Sequence, residues 1–418
     1  MTRFSRPLLD ACTAAFAAVL PLQQPADATL SAFFRSHPKI GRNDRATIAD
    51  SVYAALRRRR LLERVAAAHS PRRLALATWI ALLGANLREL DPWLRGDESE
   101  WLAFVKRDAA APQPFEVECE LPDWAIERLS ARYDESAVLA LAKGLLQNAP
   151  LDLRVNPLKI SREAALERLA ADGFRGAATP YSPQGIRIAG KPAINRHALF
   201  LEGCIEVQDE GSQLLCNLVA PKRGEMVVDF CAGAGGKTLA LGALMRSTGR
   251  LYAFDVSDKR LANLAPRLKR SGLSNVFPQR IANENDAKVK RLRGKIDRVL
   301  VDAPCSGLGT LRRNPDMKWR QTPEDVAELV EKQRSILAAA ARLVKPGGRL
   351  VYATCSILEE ENRGVVEDFL RNAPFTLRPA GDVLEKSGIR LHLDEYLELW
   401  PHRHGTDAFF AAVLERAE

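Results

Sequence analysis

Two cysteines sit where a thiol could do chemistry. Cys305 lies in DRVLVDAPCSG and Cys355 in GGRLVYATCS, each just past an apolar run that reads as a buried strand. The carboxyl ends of strands in an open α/β sheet face the ligand crevice, so both thiols, with Asp302, are expected on one working edge. An isolated buried cysteine is more often a small apolar filler, but two placed independently on the same edge point to function. A thiolate can divide one difficult step into easier ones through a covalent intermediate. Few free thiols are ionised at neutral pH, so a cation, a base or a helix dipole is expected beside them. Lys237, at a helix start, is the candidate.

A second chemistry-bearing stretch is CAGAGGKT, residues 231–238, after the apolar run Met226–Phe230. It misses two phosphate-binding patterns by one residue each. A GxxxxGK[ST] loop needs glycine where Cys231 stands, and GxGxxG puts Thr238 at its third glycine. What remains is a bare turn of Cys231, Ala232, Gly233, Ala234, Gly235, Gly236 and Lys237, where a ligand can approach the backbone closely. The next apolar run ends at Asp255 in YAFDVS, 22 residues past Gly233, and a carboxylate there can accept hydrogen bonds from ribose hydroxyls. Nicotinamide and S-adenosylmethionine enzymes share that feature, so loop and aspartate leave both open, beside the plain reading of a turn aspartate. The thiols favour the methyl donor. A nucleophilic thiol beside S-adenosylmethionine suits methylation of a carbon that is not nucleophilic by itself, such as pyrimidine C5. Thiolate addition to C6 makes C5 an enamine carbon, and a base removes the C5 proton before the thiol leaves. Asp302 is placed to bind the cytosine N3–N4 edge and stabilise a protonated N3.

The elements that must position these residues follow from periodicity. From about residue 205, strands are expected at Met226–Phe230, Leu251–Asp255, Val276–Arg280, Arg298–Asp302 and Arg349–Ala353, with helices at 237–247, 258–271, 323–344 and 359–371. Such alternation means a mostly parallel sheet covered by helices on both faces, an α/β Rossmann-like domain over 205–418. Two last strands, Tyr396–Trp400 and Ala408–Leu414, close the chain. Residues 146–204 read as a small α/β linker module: Leu151, Leu153 and Val155 alternate with polar residues, and SREAALERLAADG is a helix capped by Ser161 and ended by Gly173. Residues 1–145 read as all-helical, with Ile48, Val52, Leu56, Leu61 and Val65 spaced three to five apart along one face.

A chain of 418 residues should hold two or three domains. Its apolar stretches fall short of the ~18 residues a spanning helix needs. Arg3 and Arg6 before an Ala-rich run give the outline of a signal peptide. Asp10 interrupts that run, however, and Leu8, Leu9, Cys12, Phe16, Val19 and Leu20 share a helical face, so a folded helix in the cytoplasm is expected. The seven cysteines are scattered, with no CxxC pair and no histidine at zinc-ligand spacing. Neither a disulfide framework nor a metal site is expected. Net charge is +9, and residues 1–73 alone carry 13 lysines and arginines against 5 acidic residues. A polyanion partner follows, with Arg57–Arg60 expected to grip phosphates and Arg312 and Arg313 to serve nearer the reacting edge.

CAGAGGKT, YAFDVS, DAPCSG, RRNPDMKW and ATCS, in this order and spacing, resemble the Nop/Sun family of RNA cytosine-5 methyltransferases. IEVQDEGSQL at 205–214 fits the same family, and RNDRATIADSVYAALRRRR is similar to the NusB-like domain of its bacterial Sun/Fmu branch. The resemblance implies S-adenosylmethionine as cofactor and RNA, small-subunit (16S) ribosomal RNA above all, as substrate. Oligomeric state is left open by the sequence, with a monomer as the default expectation. By the same likeness Cys355 attacks C6, Cys305 assists product release, and Asp302 and Lys237 contact the target base. Residues 231–237 and Asp302 would border the cofactor, Asp255 would hold its ribose, and either Asn283 or Asp286 in IANENDAK would face its adenine. Ala234 stands where the family often has proline, which loosens the turn. DNA cytosine methyltransferases instead use a Pro-Cys nucleophile, which Pro304-Cys305 would match, but their Glu-Asn-Val motif is missing. A DNA cytosine-5 methyltransferase and a non-catalytic RNA-binding or ribosome assembly factor on the same fold are the alternatives.

Overall fold

The computed structural model describes residues 4–67, 70–190 and 192–418, so Arg3 of the signal-like stretch lies outside the described residues. The chain forms two compact units: Met1–Gln147 with Leu311–Gln321, and Asn148–Thr310 with Thr322–Glu418.

The first unit is helical, consistent with a NusB-like domain. Ser5 caps the helix Arg6–Val19 by accepting the Leu8 N–H at 3.3 Å, and Pro7 occupies the first turn, where its missing N–H costs nothing. Leu8, Leu9, Cys12, Phe16 and Val19 are buried as their spacing predicts, whereas Leu20 lies past the helix end and is exposed. Trp79 is fully buried in this core, and its indole N–H donates to Ser51 Oγ at 2.9 Å. The run through Ile48, Val52, Leu56, Leu61 and Val65 buries all five side chains, but as two helices, Arg42–Arg57 and Arg59–Ala66, broken at Arg58.

At that break the arginine run meets partners within its own unit. Buried Glu120 accepts the backbone N–H groups of Arg60 at 2.9 Å and Leu61 at 3.0 Å, capping the second helix from a distance. Arg58 lies 3.6 Å from the same carboxylate. Arg57 donates to Arg312 O at 3.1 Å, Arg59 to Glu63 at 2.6 Å, and Arg60 to Asp123. All four arginines therefore have internal partners. Arg312 is itself buried and belongs to this unit.

The segment Leu311–Gln321, expected inside the Rossmann-like domain, is stitched into the helical unit. Asp316 accepts the Ala26 N–H at 3.2 Å, and Trp319 donates its indole N–H to Leu56 O at 2.7 Å. Lys318, fully buried, donates to the carbonyls of Arg57 (3.1 Å) and Glu120. Burial pushes its ammonium down to about 7.

The second unit contains two sheets. β1 (Leu151–Val155), β2 (Gly176–Ala178), β3 (Gly185–Ile188) and β4 (Ile205–Val207) form an antiparallel sheet in the order β2-β3-β1-β4. β4 thus extends the small module's sheet beyond residue 204. Ser161 caps the helix Arg162–Ala171 on this sheet by accepting the Ala164 N–H at 3.1 Å. The larger sheet runs β10 (Phe375–Arg378), β12 (Phe409–Arg416), β9 (Val344–Thr354), β8 (Ile296–Asp302), β5 (Met226–Asp229), β6 (Arg250–Asp255), β7 (Val276–Arg280), with β11 (Leu397–Leu399) on β12. β9, β8, β5, β6 and β7 are parallel, while β12 runs antiparallel to β9. The expected Rossmann-like sheet is present; β10 and the helix Ala380–Glu385 carry too little periodicity to be foreseen. The chain winds outward from β5 through β6 to β7 and then returns to β8 on the other side of β5. That reversal opens a crevice at the carboxyl ends of β5 and β8.

Candidate active site

The glycine turn after β5 is held from three sides. Asp255, at the end of β6, accepts the Gly233 N–H at 2.8 Å, and Ala232 N–H donates to Phe254 O at 2.8 Å. Arg267 donates to Ala234 O at 2.7 Å, and Arg154 of β1 donates to Gly236 O at 2.6 Å. Gly233 (φ +56°) and Gly235 (φ +83°) take left-handed conformations. A Cβ on Gly235 would stand 2.1 Å from Leu264 Cδ1, whereas one on Gly233 would meet nothing within 4 Å. The turn is therefore packed at Gly235 and open at Gly233. Ala234, in the position where proline was noted, is exposed. Arg154 is buried, which pushes its guanidinium down to about 10. Sequence reasoning missed it, because an arginine in the short strand LDLRV reads only as a polar alternate.

Asp255 is also buried and accepts the Ser257 N–H at 2.7 Å, so it braces the turn from inside. On the loop after β7, Asp286 accepts the N–H groups of Ala282 and Lys288, both at 2.8 Å, and Asn283 Oδ1 accepts the Asn285 N–H at 2.9 Å. Both residues shape their own loop, apart from the cysteines, and Asp286 caps the short helix Ala287–Lys290.

A further carboxylate, Asp229, ends β5 with no exposed surface. Thr238 donates to its Oδ2 at 2.7 Å, while its Oδ1 is buried without a partner. An orphaned acceptor beside an open glycine turn suits a ligand bearing a donor such as an ammonium group. Burial pushes the Asp229 carboxyl up to about 7. The unfolded chain ionises this group from about pH 4, whereas the folded chain holds the proton to about pH 7. Stability is thus withdrawn as pH rises through that window, by an amount of order 4 kcal/mol. Asp229→Asn should flatten the fall of the urea-unfolding midpoint between pH 5 and pH 8; an unchanged slope would place the titration elsewhere.

The reacting edge gathers four of the expected residues. Lys237, in the first turn of the helix Gly236–Leu244, donates Nζ to Asp302 Oδ2 at 2.7 Å. Burial alone would lower the Lys237 pKa, but the charge of Asp302 and its hydrogen bond outweigh it, with the Cys355 sulfur adding, and the net direction is up. The ammonium also lies 5.8 Å from the ring centroid of Phe409. Cys305 Sγ and Cys355 Sγ are 3.5 Å apart and partly exposed. The hydrogen bond to Cys355, then burial, push the Cys305 thiol well up. Cys231, also pushed up by burial, is the inert member of the expected set. Gly309 ties the loops together: its N–H donates to Cys355 O at 2.8 Å, and it accepts the Ala408 N–H at 3.0 Å.

A cavity of about 440 Å³, floored by Phe369 and Phe375, lies where β9 begins, at the opposite end of the sheet, and includes none of these residues. Among the described residues no cluster of histidine, cysteine or carboxylate could hold a metal. Among them, too, no helix is long and apolar enough to cross a membrane.

Residues 216–415 match the family described as 16S rRNA methyltransferase RsmB/F, and residues 121–195 match the ferredoxin-like domain of RsmF/B-like methyltransferases. A probable ribosomal RNA small subunit methyltransferase B of Synechocystis is 39% identical over 305 residues, 71% of this chain and 67% of that protein. A solved methyltransferase homolog protein from Pyrococcus horikoshii is 30% identical and superposes with a TM-score of 0.58, over 71% of this chain and all of that one. NSun6 from the same organism, solved with SFG, shares the fold at 22% identity and a TM-score of 0.63, over 71% of this chain and 98% of its own. The crevice between β5 and β8, its glycine turn and these likenesses converge: the chain belongs to the RsmB/F (Sun/Fmu) family of S-adenosylmethionine-dependent 16S rRNA methyltransferases.

Proposed function

We propose that this protein methylates C5 of cytosine in RNA, with small-subunit ribosomal RNA as substrate, through a covalent bond between Cys355 and C6. The observation that carries the reading is the thiol pair 3.5 Å apart, one member at the end of β8 and the other at the end of β9, on the edge that also holds the Lys237–Asp302 pair. The small-subunit substrate rests on the names of the relatives.

The glycine turn would hold the methionine end of S-adenosylmethionine, with Asp229 Oδ1 open to its ammonium and Asp255 at its ribose. When bound, the cofactor supplies an electrophilic methyl group. Cys355 adds to C6, forming a C–S bond and moving the ring electrons toward C5. Asp302 holds the N3–N4 edge and Lys237 fixes Asp302; as negative charge develops on the ring N3 takes a proton from solvent, and the carboxylate stabilises the protonated N3. C5 then takes the methyl group, a base removes the C5 proton, and the electron pair of that C–H bond expels the Cys355 sulfur. Cys305 assists this release. The base must be unstacked to enter the crevice, as enzymes acting on bases require.

The purified protein should transfer labelled methyl groups to 16S rRNA lacking the modification, and bisulfite sequencing should place them at a cytosine. Equal labelling of a matched DNA duplex would favour a DNA enzyme. Binding to the small subunit without any methyl transfer would favour an assembly factor.

A further inference from the structure

One buried side chain grips both cysteine loops. Glu361, in the turn Glu359–Glu361 after β9, has no exposed surface. Its Oε1 accepts the backbone N–H of Ser306 at 2.8 Å and Gln333 Nε2 at 3.0 Å. Its Oε2 accepts the hydroxyls of Ser306, at 2.5 Å, and Ser356. A carboxylate offers about four lone-pair sites, and all are used. Ser306 follows Cys305 and Ser356 follows Cys355, so a single carboxylate fixes the residue next to each thiol. The turn is itself anchored to β9. Tyr352 donates its hydroxyl to Glu361 O at 2.7 Å, and Asn362 donates to Ser356 O at 3.1 Å while accepting from Thr354 Oγ1 at 2.5 Å.

We propose that Glu361 is a positioning residue for the thiol pair, setting the separation of Cys305 and Cys355 and placing a fixed negative charge beside Cys305. The inference rests on the roles given above to the two cysteines. The loops come from different strands; beside the Gly309 N–H to Cys355 O bond and the 3.2 Å contact between the Ser306 and Ser356 hydroxyls, the hydrogen-bonded carboxylate joins the residues next to the two thiols. The ionisable groups around the pair are Glu361 and Tyr352 near Cys305, and Lys237 with Asp302 toward Cys355. Among these, Glu361 adds to the upward push on the Cys305 thiol, after Cys355 and burial. Sequence reasoning had no signal for it, because EEEN past a strand reads as a solvated acidic turn.

Glu361→Gln keeps the shape of the side chain, removes the charge and turns an NH2 group toward two of its former donors. The expected result is an unfolding midpoint and S-adenosylmethionine affinity near those of the parent. With them, kcat for RNA methylation should fall about 10- to 100-fold and KM for RNA should stay within about twofold, the pattern of a misplaced reacting group. Alkylation of Cys305 by iodoacetamide, followed peptide by peptide by mass spectrometry, should begin at lower pH than in the parent. Ser306→Ala keeps the charge and removes one grip, so kcat should fall in smaller measure with KM for RNA little changed, and it carries the positioning test through kcat if Glu361→Gln does not fold. An unmoved Cys305 alkylation profile, or an unchanged kcat, overturns the proposal. So does a loss of activity in a folded variant that is matched by lost cofactor binding. A shifted alkylation profile in a protein whose parent methylates no RNA would leave the positioning role standing and remove the proposed function instead.

Discussion

Cys355→Ala is expected to lower RNA methylation by about four orders of magnitude or more, the scale on which an enzyme loses rate when its nucleophile is deleted. No covalent RNA adduct should form. Cys305→Ala should also stop turnover, but by a different route: the adduct forms and persists, giving an RNA-shifted protein band on a denaturing gel. The difference follows from the 3.5 Å contact between the sulfurs. In the proposed roles Cys355 is the sulfur that attacks and Cys305 the one that assists release. Removing Cys305 leaves attack intact and deprives the adduct of the group beside its C–S bond. Alanine at either position opens only a small space at a partly exposed site, so folding should be little changed. A trapped band with Cys355→Ala and none with Cys305→Ala would exchange the two roles.

Gly309→Ala is expected to damage both stability and activity, out of proportion to one methyl group. A Cβ there would stand 2.4 Å from Ala408 O and 2.7 Å from Cys355 O, both backbone atoms that cannot rotate away. Overpacking of this kind costs about 1–3 kcal/mol. The bonds Gly309 N–H to Cys355 O and Ala408 N–H to Gly309 O would be stretched as well, each contributing about 0.5–1.5 kcal/mol. A total of about 2–6 kcal/mol should appear in urea unfolding. Because the displaced atoms include the Cys355 carbonyl, kcat should fall by about 100-fold, as expected for a shift near 1 Å at reacting groups. Gly364→Ala is the contrast. Its Cβ would meet Glu359 O at an ordinary 3.4 Å, so it should be neutral or stabilise slightly. Parent-like stability and rate in Gly309→Ala would show that the loops can part without consequence.

Much of this protein was legible in its sequence because the determining interactions are local. Alternating apolar runs and helical periods place β5, β6, β7, β8 and β9, since burial of one face depends on residues a few positions apart. Ser161 caps its helix from three residues away. The glycine turn, Asp255 and the two cysteines could be assigned to strand ends for the same reason, and strand ends in such sheets share one edge.

What the tertiary structure alone decided is who meets whom. Cys305 and Cys355 are 50 residues apart in sequence and 3.5 Å apart in space. Arg57–Arg60 are a bare basic run in sequence, and the fold gives them Glu120, Asp123, Glu63 and the Arg312 carbonyl as partners. RRNPDMKW reads as part of the sheet domain, yet the buried Lys318 and the partly buried Trp319 belong to the helical unit. Glu361, Asp229 and Arg154 carry no pattern at all. Charged and polar side chains take their meaning from burial and from partners distant in sequence, because an unpaired polar group is inexpensive in water and costly in a core. Sequence determined which backbone forms where and which residue types reach the working edge; the folded chain determined which charges are already engaged and which groups remain to do chemistry.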